Sequence, residues 1–339
     1  MRVIPRAPLA ALAALCCTAG CGLLSGGGPP PPPPGAVLAT LAVGSPPTFL
    51  ALSPDGANLY AASNGELRVI RTADHSVTAT LRINPNPNGM AVSPDGAQVY
   101  ITNLFSVSLT TLDTATNTLA PPTALFMQRF RGGFGRMAVA PDGRTIYVAN
   151  AVNRAFGIVD LTGGNSSVLI PSVMPQDIAI TADGRTVYYV GCRPICTPGF
   201  LQVFDTTTGR FLQAVALSGN PFRIALSPDG ARAYAANLTG PSLSVVDLAS
   251  LTVTATIPVP VQPTGLAVAR DGSAIYVASQ TGGALTVIDP VSLSVRASAA
   301  IPQAREVVVS PDGRRAYVSS NNTVLAIDTA ALAAGAAAP

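Results

Sequence analysis

The chain has 339 residues, among them 31 glycines, 31 prolines, one histidine and no tryptophan. All twenty basic residues are arginine, against seventeen acidic ones, for a formal net charge of +3. Setting aside Arg2 and Arg6, which fall in a leader, brings this to +1 (3 − 2), and a near-neutral chain has no electrostatic footprint for nucleic acid.

Residues 1–20 read as a secretory signal. Two arginines stand within the first six residues, a short apolar run follows over 9–17, and Thr18-Ala19-Gly20 lead into Cys21. The run is too short to span a bilayer. The small residues before Cys21 resemble a bacterial lipoprotein cleavage site, which implies lipidation at Cys21; plain secretion is the alternative. Residues 21–35 form a linker, with prolines unbroken from 29 to 34. Polyproline extends about 3.1 Å per residue, so this segment is expected to act as a semi-rigid stalk.

Residues 36–328 repeat. The first unit reads Ser53-Pro54-Asp55-Gly56 with Tyr60, the second Ser93-Pro94-Asp95-Gly96 with Tyr100. Five more copies follow, at Asp142-Gly143 with Tyr147, Asp183-Gly184 with Tyr188, Asp229-Gly230 with Tyr234, Asp271-Gly272 with Tyr276 and Asp312-Gly313 with Tyr317. The aspartates recur every 40 to 47 residues, a period that belongs to four-stranded propeller blades. Ser-Pro-Asp-Gly suits a type I turn, with Pro setting φ at the second position. The near-continuous apolar strand after it, such as Ile146-Tyr147-Val148-Ala149, fits a sheet covered on both faces. A third strand ends in Asp (Asp113, Asp160, Asp205, Asp247, Asp289, Asp328), and a fourth follows.

The seventh unit lacks a fourth strand, because residues 329–339 are an alanine-rich tail. Residues 36–43 carry the missing pattern. The expectation is an all-β, seven-bladed propeller of four-stranded blades, with the N-terminal strand closing the last blade and removing an exposed edge. The segments Tyr147-Val148-Ala149-Asn150 and Tyr276-Val277-Ala278-Ser279, with the linked Val-Ile-Asp and Ala-Thr-Ile stretches, resemble the YVTN-type β-propeller repeat of bacterial surface and envelope proteins. That resemblance implies the fold and an exported address, either lipid-anchored to the envelope or secreted.

Cys16 and Cys17 leave with the signal, so Cys192 and Cys196 remain for a disulfide that would close a small loop, as an oxidising compartment allows. No histidine lies nearby to complete a metal site; neither metal nor cofactor is expected.

The turn aspartates and strand-ending aspartates read as turn formers, whose carboxylates bond local backbone. Four acids are left: Glu66, Asp74, Asp177 and Glu306. Counting four residues back from each turn gives one repeat position occupied by Phe49, Gly89, Arg136, Asp177, Arg223, Gly265 and Glu306. It opens the innermost strand at the mouth of the central channel, where a charge needs a partner or water. Arg136, Asp177 and Arg223 fall on successive blades, so they form either a salt-bridge ring pinning neighbours or a polar ligand site. Two insertions, residues 126–135 and the loop holding the two cysteines, are expected on this same face. Arg129, Phe130 and Arg131 in the first carry side-chain types that anchor interfaces.

Two functions compete. One is an envelope-associated binding or scaffolding module, a monomer touching membrane only through Cys21, whose partner is an envelope protein or a small polar ligand. The other draws on a resemblance to lactonase-type propellers and implies a hydrolase using Asp177, Glu306 and Arg223 at the channel mouth. The sole histidine, His75, falls in a turn on the opposite face, and no nucleophile elbow or nucleotide loop is present.

Overall fold

The computed structural model describes residues 28–104, 106–124, 135–163, 166–193 and 198–334. The seven repeats form seven antiparallel sheets whose strands run in chain order from the channel outward. In blade one these are Phe49–Leu52, Asn58–Ser63, Glu66–Arg71 and Val77–Arg82. The innermost strands of the others are Pro87–Val92, Arg136–Val139, Met174–Ile180, Pro221–Leu226, Pro263–Val268 and Ala304–Val309.

Ring closure follows the strand count. Val37–Ala42 pairs antiparallel with Thr323–Asp328, with Leu41 opposite Val324, and completes blade seven outside Ala304–Val309 and Arg315–Ser320. The chain thus supplies both partners of its own last sheet and leaves no unpaired blade.

The turns are built from their own side chains. Asp55 Oδ1 accepts from Ser53 Oγ and from the Ala57 N–H, while Ser53 Oγ accepts from the Asn58 N–H. The same aspartate-to-backbone bond recurs in all seven turns. The strand-ending aspartates do likewise, as when Asp247 Oδ1 accepts from the Ser250 N–H. Gly56 sits at φ +73°, and a Cβ there would lie 2.7 Å from Pro311 Cδ of the preceding blade. Turns on the lower face therefore interlock, glycine over proline, around part of the ring.

The core lies between blades rather than inside any one of them. Phe49, Tyr60, Leu67 and Val69 of blade one pack on Val99, Ile101 and Leu112 of blade two. This explains why second strands are apolar on both faces. All seven repeat tyrosines are buried. The eighth, Tyr189, joins Tyr147, Phe156, Phe204 and Phe211 in an aromatic cluster between blades three and four.

Three local features depart from the repeat. The outer strand of blade two is split into Thr118–Leu119 and Thr123–Ala124, because Pro121 and Pro122 between them have no N–H to give a ladder. The start of the alanine-rich tail is a helix, Thr329–Ala334, whose first turn is held by the Ala331 N–H donating to Asp328 Oδ1. Alanine favours helix, and Leu332 is buried against Ala297 and Ala299 of blade six. The proline run touches the propeller: the Pro30 carbonyl accepts from the Ala300 N–H on the outer edge of blade six. Among the described residues, no helix is long and apolar enough to cross a membrane.

Candidate functional site

The site position lies at the channel end of each innermost strand, and its aim is set by backbone irregularity. In blades two, four, five and six the pairing register shifts between the opening proline and the site residue, at Pro87/Gly89, Pro175/Asp177, Pro221/Arg223 and Pro263/Gly265. Blade seven shifts between Ala304 and Val307, bracketing Glu306. A bulge bends a strand and re-aims the side chain beside it. Proline, lacking an N–H, suits the place where pairing is interrupted.

The charged members of the set meet in the channel, but not as a ring of neighbours. Glu306 is the hub. Its Oε1 accepts from Arg136 Nη2 at 2.5 Å and from Arg223 Nη2 at 2.6 Å. These bonds run from blade seven to blades three and five, across the opening. Among the described residues the one ion pair between adjacent blades is longer, Arg136 Nε to Asp177 Oδ1 at 4.0 Å. Expected salt bridges between successive blades are thus largely replaced by cross-channel pairs, because the long Arg136 and Arg223 side chains reach Glu306 while the short Asp177 side chain is held by backbone N–H groups.

Asp177 has a different task. Its Oδ1 accepts from the Ile178 N–H at 2.9 Å and its Oδ2 from the Ile224 N–H at 3.0 Å. It therefore satisfies two backbone donors on the free inner edges of blades four and five. Aromatic rings complete the plug: the Arg136 guanidinium lies 4.7 Å from the centroid of Phe49, and that of Arg223 lies 4.3 Å from Phe222. Such stacking is favourable where charge is desolvated. The remaining two positions are glycines with no room for more; a Cβ on Gly265 would come 2.7 Å from the Arg305 carbonyl oxygen.

All four charged side chains are largely buried, Arg223 and Glu306 to 7% and 8% exposure. Burial pushes the Glu306 carboxyl up, but Arg136 and Arg223 outweigh it and hold the group below its ordinary range. Burial raises Asp177 and wins there, against the two arginines and two backbone donors that pull it down. Arg223 is drawn down to about 10 by burial and by Arg136, with Glu306 opposing. Arg223 Nε has no hydrogen-bond partner among the described residues.

The sequence placed Arg136, Asp177, Arg223 and Glu306 at one position, and the structure brings all four together. The roles of Phe49 and Phe222 went unread; Phe49 had a signal, since it holds the same repeat position. Arg129, Phe130, Arg131, Cys21 and Cys196 lie outside the described residues. Cys192 is fully buried at the end of Thr186–Cys192. No group of three or more His, Cys, Asp or Glu able to hold a metal occurs among the described residues.

No family profile matches the chain, and no curated protein sequence is similar to it. Solved structures are. The hydrazine synthase of Kuenenia stuttgartiensis superposes with a TM-score of 0.76 at 19% identity, over 86% of this chain and 98% of that one. The β-propeller domain of Cps50 (Swd1) from Myceliophteria thermophila superposes with a TM-score of 0.74 at 14% identity, over 86% and 99%. The chain is a seven-bladed β-propeller. Identities this low speak for the fold alone.

Proposed function

We propose that this propeller is a binding or scaffolding module of the bacterial cell envelope, built from YVTN-type repeats and exported by residues 1–20. Cys21 would tether it by lipid, and a Cys192–Cys196 disulfide would brace the upper loop of blade four. The observation that carries the reading is the cross-channel cluster. Its carboxylates are already committed: Glu306 to two arginines, Asp177 to two backbone N–H groups. A mouth filled this way offers a rigid floor, and recognition then falls to the surrounding loops, where Arg129, Phe130 and Arg131 would supply the anchors.

The test is an affinity capture from envelope extract by the mature protein, run beside a variant with Arg129, Phe130 and Arg131 replaced by serine. A specific partner should be held by the unaltered chain and lost by the variant, with both unfolding at the same temperature. Capture by both forms alike would rule out the loop as the docking element.

A further inference from the structure

The lower face holds a cavity at the seam where the ring closes. It lies between blades seven and one, measures about 340 Å³, and its lining includes Asp55, Thr72, Asp312, Arg314, Arg315 and Tyr317. That is room for a small organic molecule, well beyond what one water needs. Tyr317 is fully buried, and its hydroxyl has no hydrogen-bond partner among the described residues. Among the described residues it is the one repeat tyrosine whose hydroxyl is both buried and unpaired, whereas Tyr100, for comparison, donates to Gln98. Buried polar groups are nearly always paired, so an unpaired one lining a cavity points to something that fills it. A second unpaired atom, His75 Nε2, belongs to a ring packed edge-on against that of Tyr317, with centroids 6.3 Å apart.

The charges around the hydroxyl come in two signs. Arg315 is fixed in place by its Nη1 donating to the Thr72 carbonyl at 2.6 Å, and Arg314 stands exposed beside it. Asp55 and Asp312 each commit Oδ1 to their own turns, to the Ala57 and Arg314 N–H groups and to the serine hydroxyls. The second oxygen of each is uncommitted among the described residues. A dianion would meet both carboxylates, and a simple cation would leave the tyrosine unpaired. We propose that this cavity binds a small zwitterion, a free amino acid or a molecule of like chemistry. Its carboxylate would accept from Tyr317 Oη and the arginines, and its ammonium would donate to Asp55 and Asp312. The site is on the face opposite the Arg136–Glu306 cluster and stands independently of the proposed partner loop.

A built-in control exists. The corresponding cavity between blades five and six holds three carboxylates, Asp229, Asp247 and Asp271, against the single Arg232. Its tyrosine, Tyr234, is not among the buried unpaired hydroxyls of the described residues.

The experiment is calorimetric titration of the full chain with glycine, L-glutamate and L-arginine, and with acetate and methylammonium as half-ligands. Wild type, Tyr317→Phe, Tyr234→Phe and Arg314→Gln are compared. At least one amino acid should bind saturably, with each half-ligand weaker by about tenfold or more. Tyr317→Phe should lose about tenfold in affinity, the worth of a hydrogen bond to a charged group, and Arg314→Gln should also weaken binding. Tyr234→Phe should bind as wild type does. Without ligand, Tyr317→Phe should unfold at the wild-type temperature or above it, since it removes an unsatisfied group. Failure of every amino acid to bind would overturn the proposal. So would acetate matching the best amino acid, or unchanged affinity in both Tyr317→Phe and Arg314→Gln.

Discussion

The two ends of the channel are built on opposite principles. On the lower face one turn is used seven times, and each copy satisfies itself with its own aspartate and the backbone two residues on. At the upper mouth the equivalent position changes from blade to blade, and each charged member takes a partner from another blade. Glu306 needs Arg136 and Arg223, 170 and 83 residues away. Repetition therefore marks where the chain solves a local backbone problem, and variation at a repeat position marks where side chains answer one another across space.

The sharpest way to break this contrast is Glu306→Gln. It leaves Arg136 and Arg223 facing each other in a buried setting, and removing one partner of a buried pair costs about 3 kcal/mol or more. Urea denaturation should show that loss, well above the effect of replacing any single lower-face turn aspartate. A cost no larger than that of a turn substitution would mean that water, not Glu306, compensates the arginines.

Acid titration separates the two carboxylates of the cluster. Glu306 is held below its ordinary 4.5 in the folded chain, so its contribution is complete above that pH and is lost as pH falls through the lowered folded value. Asp177 has the opposite sign. Its folded value is raised, so the fold takes up that proton more readily than the unfolded chain does, and acidification through the raised value adds stability. The turn aspartates Asp55, Asp95, Asp183, Asp229, Asp271 and Asp312 add to the Glu306 side, since bonds within their own turns hold their carboxyls below the ordinary range. The urea midpoint of the wild type should therefore fall between about pH 5 and pH 3. It should fall less steeply in Glu306→Gln and more steeply in Asp177→Asn. Parallel curves for all three would remove the cluster from the pH response.

The smallest effect tests the lower face. Gly56 and Gly230 hold the same turn position at φ +73° and +70°, but a Cβ would press on Pro311 only at Gly56 and meet nothing within 4 Å at Gly230. Alanine at either site costs about 1 kcal/mol for the left-handed backbone. Gly56→Ala should lose measurably more, the excess reporting contact between blades. Equal losses would show that the turns do not brace one another.

Much of the fold was legible because it rests on local chemistry. Ser-Pro-Asp-Gly specifies its turn, and the strand after it is apolar on both sides because blades cover one another. Closure was legible by counting, since the strand missing after Asp328 is present at Val37–Ala42. The helix at Thr329–Ala334 was not, because a six-residue alanine-rich run settles as helix only when Leu332 finds an apolar surface to bury against. Nor was the split in blade two's outer strand, although Pro121-Pro122 carried its signal.

The candidate site divides in the same way. Sequence alone determined which residues occupy the channel position, because the repeat fixes the register of every blade. Which of them pair was decided only by the closed ring. Blades three, five and seven share no edge, so nothing in chain order or blade adjacency favours Glu306 as the partner of Arg136 and Arg223. Their meeting depends on the width of the channel, the reach of three long side chains, and the advantage of pairing buried charges over leaving each alone against its own wall.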